Sequence, residues 1–250
     1  MTNVRAVRVG QTGTLIIDNP GRRNAMTLDM YGAIPAAIDE LTSEPDLRCV
    51  IVRGEGDDAF CAGSNVAEFA QHRTGQAAGT YADVEHEAFA AIARLSMPTV
   101  AVVHGPCMGG GVALAASCDL RIAADDATFA VPPGKLGVGY AVDGVETLTR
   151  LIGVAATKML MLTAAVIDAA EARRIGFVSE VVPKSDLNRH TDELAANIGR
   201  LAPLTLAAAK LAADERPGAT EAVAACFASD DYREGIASFE EKRRPHFLGR

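Results

Sequence analysis

Hydrophobic residues in the front part of the chain fall into short runs with the spacing of β-strands. Residues 4–9 and 12–20 are rich in β-branched side chains and flank a glycine-containing turn, which predicts an antiparallel hairpin. Residues 49–54 and 99–105 are apolar at nearly every position and end at a glycine, as expected for strands covered on both faces. Two further strands are predicted at 119–124 and 177–183.

Elsewhere the hydrophobic residues recur every three to four positions, which is the spacing of a helix. Apolar residues follow this period over 30–41, and Thr27 stands where an N-cap is expected. Residues 69–84 carry glycines in a polar context and predict a mobile surface loop, ahead of a helix over 82–95. A short helix is predicted after Gly111, and longer ones at 144–153, 155–163 and 168–176.

The last quarter of the chain has a different composition from the rest. Residues 185–250 are richer in alanine and charge, and they predict three helices separated at Pro203 and Pro217. Before them, strands and helices alternate. The pattern therefore predicts an α/β core over 1–184, followed by a helical region over 185–250.

Composition and charge narrow the class of protein. The 250 residues carry a formal net charge of −8, which argues against binding to nucleic acid or to an anionic membrane surface. No run of about 20 apolar residues and no secretory leader is visible, so we expect a cytoplasmic protein. The five cysteines contain no C-x-x-C pair and are expected to be buried thiols, and no metal site is predicted.

Two glycine-rich stretches are the first candidates for chemistry. The stretch "GPCMGGGVALAA" places Gly109, Gly110 and Gly111 between a strand and a helix, and "FCAGSN" places Ser64 directly after Gly63. Two amides that converge from separate loops form an oxyanion hole, which stabilises a carbonyl oxygen as it gains negative charge. The alternative is that these are turn and packing glycines. A dinucleotide site is disfavoured, because G-x-G-x-x-G does not fit the stretch in register.

Five stretches together resemble the crotonase, or enoyl-CoA hydratase/isomerase, superfamily along nearly the whole chain. They are "NPGRRNAM", "DDAFCAGSNVAEF", "MPTVAVVHGPCMGGGVALAASCDLRIAADDATFAVP", "DAAEARRIGFVSEVVP" and "REGIASFEEKRRPHF". The resemblance implies a spiral of ββα turns and a helical C-terminal region that builds trimers or dimers of trimers. It also implies an acyl-CoA thioester as substrate, without a further cofactor, and an enolate as the shared intermediate.

The resemblance also assigns candidate site residues. The two oxyanion amides fall on Ser64 and Gly110. Either Arg22 or Arg23 is expected to meet the CoA phosphates, with a solvated turn as the alternative. The remaining positions implied to bind substrate are Ala25, Ala62, Asn65, Val66, Gly109, Pro133 and Leu136. Phe239 and Lys242 match positions that reach the adenine of a neighbouring subunit's substrate. The alternative is that these two residues belong to an ordinary amphipathic helix.

Two positions depart from the pattern of the hydratases. Where those enzymes carry their two acid/base glutamates, this chain has Ala113 and Pro133. Neither side chain can transfer a proton, whereas hydration requires proton transfers to and from substrate and water. The departure favours a decarboxylation, which needs chiefly an oxyanion hole. Hydratase or isomerase chemistry with other acid/base residues, or a catalytically weak acyl-CoA binder, remain as alternatives.

Three residues are candidates to replace the lost glutamates. Tyr140 lies in "LGVGYAVDG", which resembles the corresponding run of methylmalonyl-CoA decarboxylases, although it can equally be a pocket wall. His86 stands where the family's dehalogenases have an active-site histidine, but between two glutamates it also fits a solvated helix face. Asp143 fits an N-cap better than a catalytic carboxylate. Ser64 as a nucleophile is disfavoured, because no G-x-S-x-G elbow and no histidine base accompany it.

Overall fold

The computed structural model describes residues 3–250. Its main sheet contains six strands, which lie side by side in the order β1 (Asn3–Val9), β2 (Thr12–Asp18), β3 (Cys49–Gly54), β4 (Thr99–Val103), β6 (Leu120–Ala124) and β9 (Glu180–Val182). β1 and β2 pair antiparallel, and all the other neighbours are parallel. The predicted hairpin and the four later strands are thus confirmed, although β9 is shorter than expected.

A second, smaller sheet explains the spiral course of the chain. It contains β5 (Pro106–Met108), β7 (Thr128–Ala130) and β8 (Ile167–Asp168), and an isolated parallel bridge joins Cys61 to Cys107 beside it. After β3, β4 and β6 the chain makes a short strand or bridge and then a helix, so each turn of the spiral has the form ββα. The short strands were not predicted, because two or three residues carry no periodic signal.

Helices cover the sheets and form the C-terminal region. They are α1 (Leu28–Thr42), α2 (Phe69–His72), α3 (Ala77–Ala93), α4 (Gly110–Ala116), α5 (Val142–Thr163), α6 (Ala169–Arg174), α7 (Leu187–Gly199), α8 (Pro203–Ala213), α9 (Ala219–Ala228) and α10 (Asp230–Glu240). The predicted cap of α1 is confirmed, since Thr27 Oγ1 accepts a hydrogen bond of 3.1 Å from the Met30 amide. Within residues 3–250 no helix is long and apolar enough to cross a membrane.

Two expectations about helices are corrected, and one is confirmed. The loop predicted over 69–84 is wrong, because α2 and α3 occupy most of it. The fully buried Tyr81 anchors this segment, with its ring edge-on to the rings of Tyr31 and Phe69 at 6.2 and 6.1 Å. The two helices predicted at 144–153 and 155–163 are confirmed, because the backbone of α5 leaves helical geometry at Gly153, where φ is 75°.

The second correction concerns the C-terminal region, which has four helices from α7 to α10 rather than three. The additional break lies at Ser229, whose Oγ accepts a hydrogen bond of 3.0 Å from the Tyr232 amide and caps α10. The side chain of a capping serine bonds to the backbone of the helix that follows, and this favours ending the preceding helix at that residue.

The core occupies both faces of the main sheet. Side chains alternate along each strand, so Val50 and Val52 of β3 pack toward α1 and α3, whereas Cys49 and Ile51 pack toward α7. Each large aliphatic side chain that is fully buried contributes roughly 1.5–3 kcal/mol. This two-sided burial explains why β3 and β4 are apolar at consecutive positions. The domain boundary at 184 stays a prediction.

The cysteines behave as small hydrophobic residues. Four of the five are buried, and all five are free thiols. Burial raises the pKa of Cys61 and of Cys118 to about 12, against the ordinary 9.0, so both thiols stay protonated near neutral pH. The expectation of buried thiols is confirmed for these four.

Candidate active site

Two glycine-dependent turns bring distant parts of the chain together at the start of α4. Gly63 has φ of 98° and Gly109 has φ of 50°, values that L side chains rarely adopt. A Cβ atom on Gly63 would lie 2.8 Å from the Met108 carbonyl oxygen. A Cβ atom on Gly110 would overlap the Tyr31 hydroxyl and lie 3.4 Å from the Ser64 amide nitrogen. The two turns therefore approach as closely as glycine allows.

The amides of Ser64 and Gly110 are available at this junction. The neighbouring amides are engaged, since Gly109 N donates to Ala130 O at 2.8 Å and Asn65 N donates to Met26 O at 2.6 Å. Within residues 3–250, neither the Ser64 amide nor the Gly110 amide donates to a backbone carbonyl. This is the arrangement that a two-amide oxyanion hole requires, and the roles of these two residues remain a prediction.

Both amides lie in the wall of a cavity of about 800 Å³. The cavity extends from α3 and α4 to α8, and its lining is mainly apolar. Such a space accommodates a small acyl group and part of a longer carrier. Of the predicted residues, it brings together Ala62, Ser64, Val66, His86, Gly109, Gly110, Pro133, Leu136 and Tyr140, together with Ala113 and Asp143.

The other predicted residues lie outside this cavity. Arg22 and Arg23 are exposed on a turn behind Ala62, whose amide donates to the Arg23 carbonyl at 2.9 Å. Phe239 lies near the end of α10, and its large apolar side chain is 86% exposed. Three more predicted substrate-binding residues lie outside the cavity lining, namely Ala25, Asn65 and Lys242. Their substrate-binding roles stay predictions.

A buried carboxylate beside the oxyanion amides was missed from the sequence. Glu85 on α3 is only 8% exposed, and its Oε1 accepts a hydrogen bond of 2.9 Å from Ser64 Oγ. Its Oε2 forms an ion pair of 3.1 Å with Arg73 Nη2. Ser64 Oγ in turn lies 3.0 Å from the buried Tyr31 hydroxyl. His86 itself is exposed, as the alternative of a solvated helix face expects, whereas its neighbour Glu85 is buried.

The surroundings of Glu85 favour its protonated form more than water does. Burial raises the pKa of Glu85, while Arg73 and the hydroxyls of Ser64 and Tyr31 oppose the rise without cancelling it. Arg73 is itself fixed, because its guanidinium lies 4.9 Å from the centre of the Phe69 ring and 4.6 Å from that of Tyr81. A buried carboxyl with a raised pKa in a cavity wall is typical of a functional group.

The buried face of α3 contains the signal that would have located Glu85. Tyr81, Glu85, Ala88 and Ile92 are the buried residues of this helix, and they recur at intervals of four, three and four. A carboxylate on the apolar stripe of a helix is buried if the helix is buried. The signal was lost because the segment before Ala82 was read as a loop.

His86 and Asp143 form a second pair in the cavity wall. His86 Nδ1 and Asp143 Oδ2 are 2.5 Å apart, and the two side chains are 61% and 50% exposed. Partial burial acts to raise the pKa of Asp143, but hydrogen bonds from His86 and from the Gly144 amide outweigh it and lower the pKa. The prediction of Asp143 as an N-cap is wrong, because α5 begins at Val142 after Ala141.

Tyr140 closes the cavity next to Gly109. Its ring packs against the core, and its hydroxyl donates to the Gly109 carbonyl at 3.4 Å, which is a long hydrogen bond. Burial and the nearby Glu85 raise the pKa of Tyr140, so the phenol stays protonated and acts only as a donor or an orienting group. Its catalytic role, like that of His86, remains a prediction.

The spiral of ββα turns is the fold that the sequence resemblance implied, and comparison with known proteins supports the same family. The family model described as enoyl-CoA hydratase/isomerase matches residues 12–250. The chain is 34% identical to a crotonyl-CoA hydratase of Syntrophomonas wolfei, over 99% of this chain and 98% of that protein. It is 30% identical to a short-chain-enoyl-CoA hydratase of Clostridium acetobutylicum, over 98% and 97%.

Solved structures show the same likeness. An enoyl-CoA hydratase/carnithine racemase from Magnetospirillum magneticum superposes with a TM-score of 0.94 at 30% identity, covering 100% of this chain and 97% of that one. The chain belongs to the enoyl-CoA hydratase/isomerase family and has the crotonase fold. It is an acyl-CoA enzyme of that family.

Proposed function

We propose that this protein acts on an acyl-CoA thioester by forming its enolate, with the Ser64 and Gly110 amides holding the thioester oxygen. The observation that carries the proposal is the pair of unengaged amides at the cavity wall. An enolate places negative charge on that oxygen, and two fixed donors stabilise it without the reorganisation that water needs. The reaction draws on no cofactor beyond the CoA group of its substrate.

Decarboxylation of a methylmalonyl-type thioester is the reaction we favour. Ala113 and Pro133 line the cavity at the two positions where the resemblance places the hydratase glutamates, and neither can transfer a proton. In the decarboxylation, the bond between the α-carbon and the carboxyl carbon breaks and CO₂ leaves. The electron pair is taken up as the thioester enolate, and the Tyr140 phenol orients the carboxylate.

Isomerisation or hydration of an enoyl-CoA is the second candidate, and Glu85 favours it. A carboxyl 2.9 Å from the Ser64 hydroxyl supplies an acid/base group in the wall of the same cavity. The relatives named above are hydratases by description. A weak acyl-CoA binder is the third possibility, since the cavity exists whatever the reaction.

Substrate assays separate these candidates. The purified protein is incubated with methylmalonyl-CoA, malonyl-CoA and crotonyl-CoA while CO₂ release and loss of the enoyl absorbance are followed. CO₂ release from the first substrate supports decarboxylation. Rapid consumption of crotonyl-CoA instead would contradict it and favour hydration. If none of the three substrates is turned over but CoA raises the melting temperature of the protein, the protein is an acyl-CoA binder without one of these activities.

Assembly and location are part of the proposal. Apolar side chains project from the end of α5, where Met159 is 61% and Leu162 is 80% exposed, and Phe239 projects from α10. Exposed apolar residues grouped on helices are typical of subunit interfaces. We propose a homotrimer or a dimer of trimers in the cytoplasm, with Phe239 and Lys242 reaching the CoA of a neighbouring subunit.

A further inference from the structure

Enolate formation leaves one chemical requirement unmet. When CO₂ departs, the α-carbon of the enolate must receive a proton, and neither Ala113 nor Pro133 has one to give. Four acidic residues line the cavity, and among them only Glu85 is buried, whereas Asp119, Asp143 and Asp214 are partly or fully exposed. A buried acid delivers its proton to the substrate without competition from bulk water.

The position of Glu85 places its carboxyl one hydroxyl group away from the oxyanion amides. Glu85 Oε1 lies 2.9 Å from Ser64 Oγ, on the residue whose amide faces the cavity. The same Oγ is 3.1 Å from the point where a Cβ atom on Gly110 would stand. The α-carbon of a thioester is directly bonded to its carbonyl carbon, so it must sit beside these amides when the oxygen is bound.

We propose that Glu85 is the acid/base residue of this enzyme, and that it exchanges a proton with the α-carbon of the bound thioester enolate. The inference rests on the proposed enolate chemistry, but it does not depend on which acyl-CoA is the natural substrate. The side chains of Arg73, Ser64 and Tyr31 act as positioning groups, because they hold the Glu85 carboxyl in place.

The hydrogen-bond chain around Glu85 suits a group that gains and loses a proton. With Glu85 ionised, the Tyr31 hydroxyl donates to Ser64 Oγ and the Ser64 hydroxyl donates to Oε1. With Oε1 protonated, both bonds reverse, so that Glu85 donates to Ser64 and Ser64 donates to Tyr31. Each hydroxyl both donates and accepts, and the Tyr31–Ser64 contact allows either direction. Oε1 of Glu85 therefore keeps its hydrogen bond to Ser64 Oγ in either protonation state without moving a heavy atom.

The charges balance over the proposed cycle. The cycle begins with the Glu85 carboxyl protonated. The C–C bond breaks, CO₂ leaves, and the electron pair forms the enolate. The O–H bond of Glu85 then breaks as a C–H bond forms at the α-carbon, and the resulting carboxylate pairs with Arg73 at 3.1 Å. Water returns one proton to Glu85 before the next turnover.

A carboxylate of this kind also removes an α-proton from a saturated thioester, which gives a test that needs no decarboxylation. The probe is butyryl-CoA in D₂O, with deuterium at the α-carbon followed by NMR. We expect the wild-type protein to exchange the α-protons, and Glu85→Gln to slow exchange at least about 100-fold while the dissociation constant of butyryl-CoA changes only a few-fold. The exposed neighbour Glu87 provides the control, since Glu87→Gln should exchange at the wild-type rate.

The outcomes separate this inference from the proposed reaction. Exchange at the wild-type rate in Glu85→Gln overturns the role of Glu85, even if CO₂ is released from methylmalonyl-CoA. Absence of exchange in wild-type protein that binds butyryl-CoA overturns it as well. Exchange that depends on Glu85, without CO₂ release, upholds Glu85 and rejects decarboxylation alone. If Glu85→Gln does not fold, Glu85→Asp keeps the charge for Arg73, and slowed exchange is required there too.

Discussion

At the scale of single residues, a buried imidazole lies outside the cavity, since His104 directly follows β4. It is 2% exposed, and within the described residues neither ring nitrogen has a hydrogen-bond partner. Burial lowers the pKa of His104, and the cations of Arg53 and Lys184 lower it further, against a smaller opposing effect of Asp57. The imidazole is therefore neutral in the folded protein.

His104 makes stability depend on pH in a defined direction. Because its pKa is lower in the folded than in the unfolded chain, the unfolded state binds the proton more readily. Stability is complete above the ordinary value of 6.5 and falls as the pH drops through the lowered pKa. Urea unfolding between pH 8 and pH 5 should show this loss, and His104→Gln should flatten it. The partly exposed His72 serves as the control, and an equal flattening in His72→Gln would contradict the assignment.

The hydroxyl of Tyr140 allows a second prediction at this scale. Tyr140→Phe removes the donor to Gly109 but keeps the ring that packs against the core. We expect release of CO₂ from methylmalonyl-CoA to fall about 100-fold or more, while CoA affinity stays within a few-fold. Steady-state kinetics and calorimetric titration measure the two quantities. Unchanged turnover would reduce Tyr140 to a wall of the pocket.

At the scale of elements, the start of α4 has no room for a side chain. Gly110→Ala places a methyl group against the Tyr31 hydroxyl and displaces the amide that we assign to the oxyanion hole. Loss of one such donor costs about 2.7–4 kcal/mol of transition-state stabilisation, so kcat should fall about 100- to 1,000-fold. Gly79→Ala on the surface of α3 is the matched control, since nothing lies within 4 Å of its Cβ position.

The Gly79→Ala control also has an expected effect on stability. Alanine is favoured over glycine inside a helix by about 1 kcal/mol, so Gly79→Ala should melt slightly above the wild type. Thermal unfolding followed by circular dichroism measures both variants. A Gly110→Ala protein with full activity would show that the Gly110 amide does not contribute to the reaction.

Some strands and turns of the fold were predicted from the sequence, whereas the buried position of Glu85 was not. β3 and β4 were located because packing on both faces leaves them apolar at every position, and the glycine turns were located because glycine is required there. Glu85 was missed because Tyr81, the first residue of the buried stripe, fell in a segment that was predicted to be a loop. Its burial depends on Tyr81, Phe69 and Arg73, which come together only when α2 and α3 fold against α1.

At the scale of the whole molecule, the exposed apolar end of α5 predicts self-association. Leu162→Glu places a charge at an 80% exposed position, where the change costs little within one chain. If this end of α5 lies in a subunit interface, burying the carboxylate is unfavourable and the assembly should dissociate. Sedimentation velocity should show a trimer or hexamer for the wild type and smaller species for the variant. Identical sedimentation would place the interface elsewhere.

The Arg73 guanidinium contacts side chains from two helices beside the cavity. It lies between the rings of Phe69 on α2 and Tyr81 on α3, and it pairs with Glu85 at the cavity wall. An acyl chain long enough to push α2 outward would therefore draw the Glu85 carboxyl away from the oxyanion amides. The length of the acyl chain would then affect the rate of proton transfer as well as binding. Substitutions that enlarge the cavity at this corner would therefore slow the reaction of every substrate, including those that already fit.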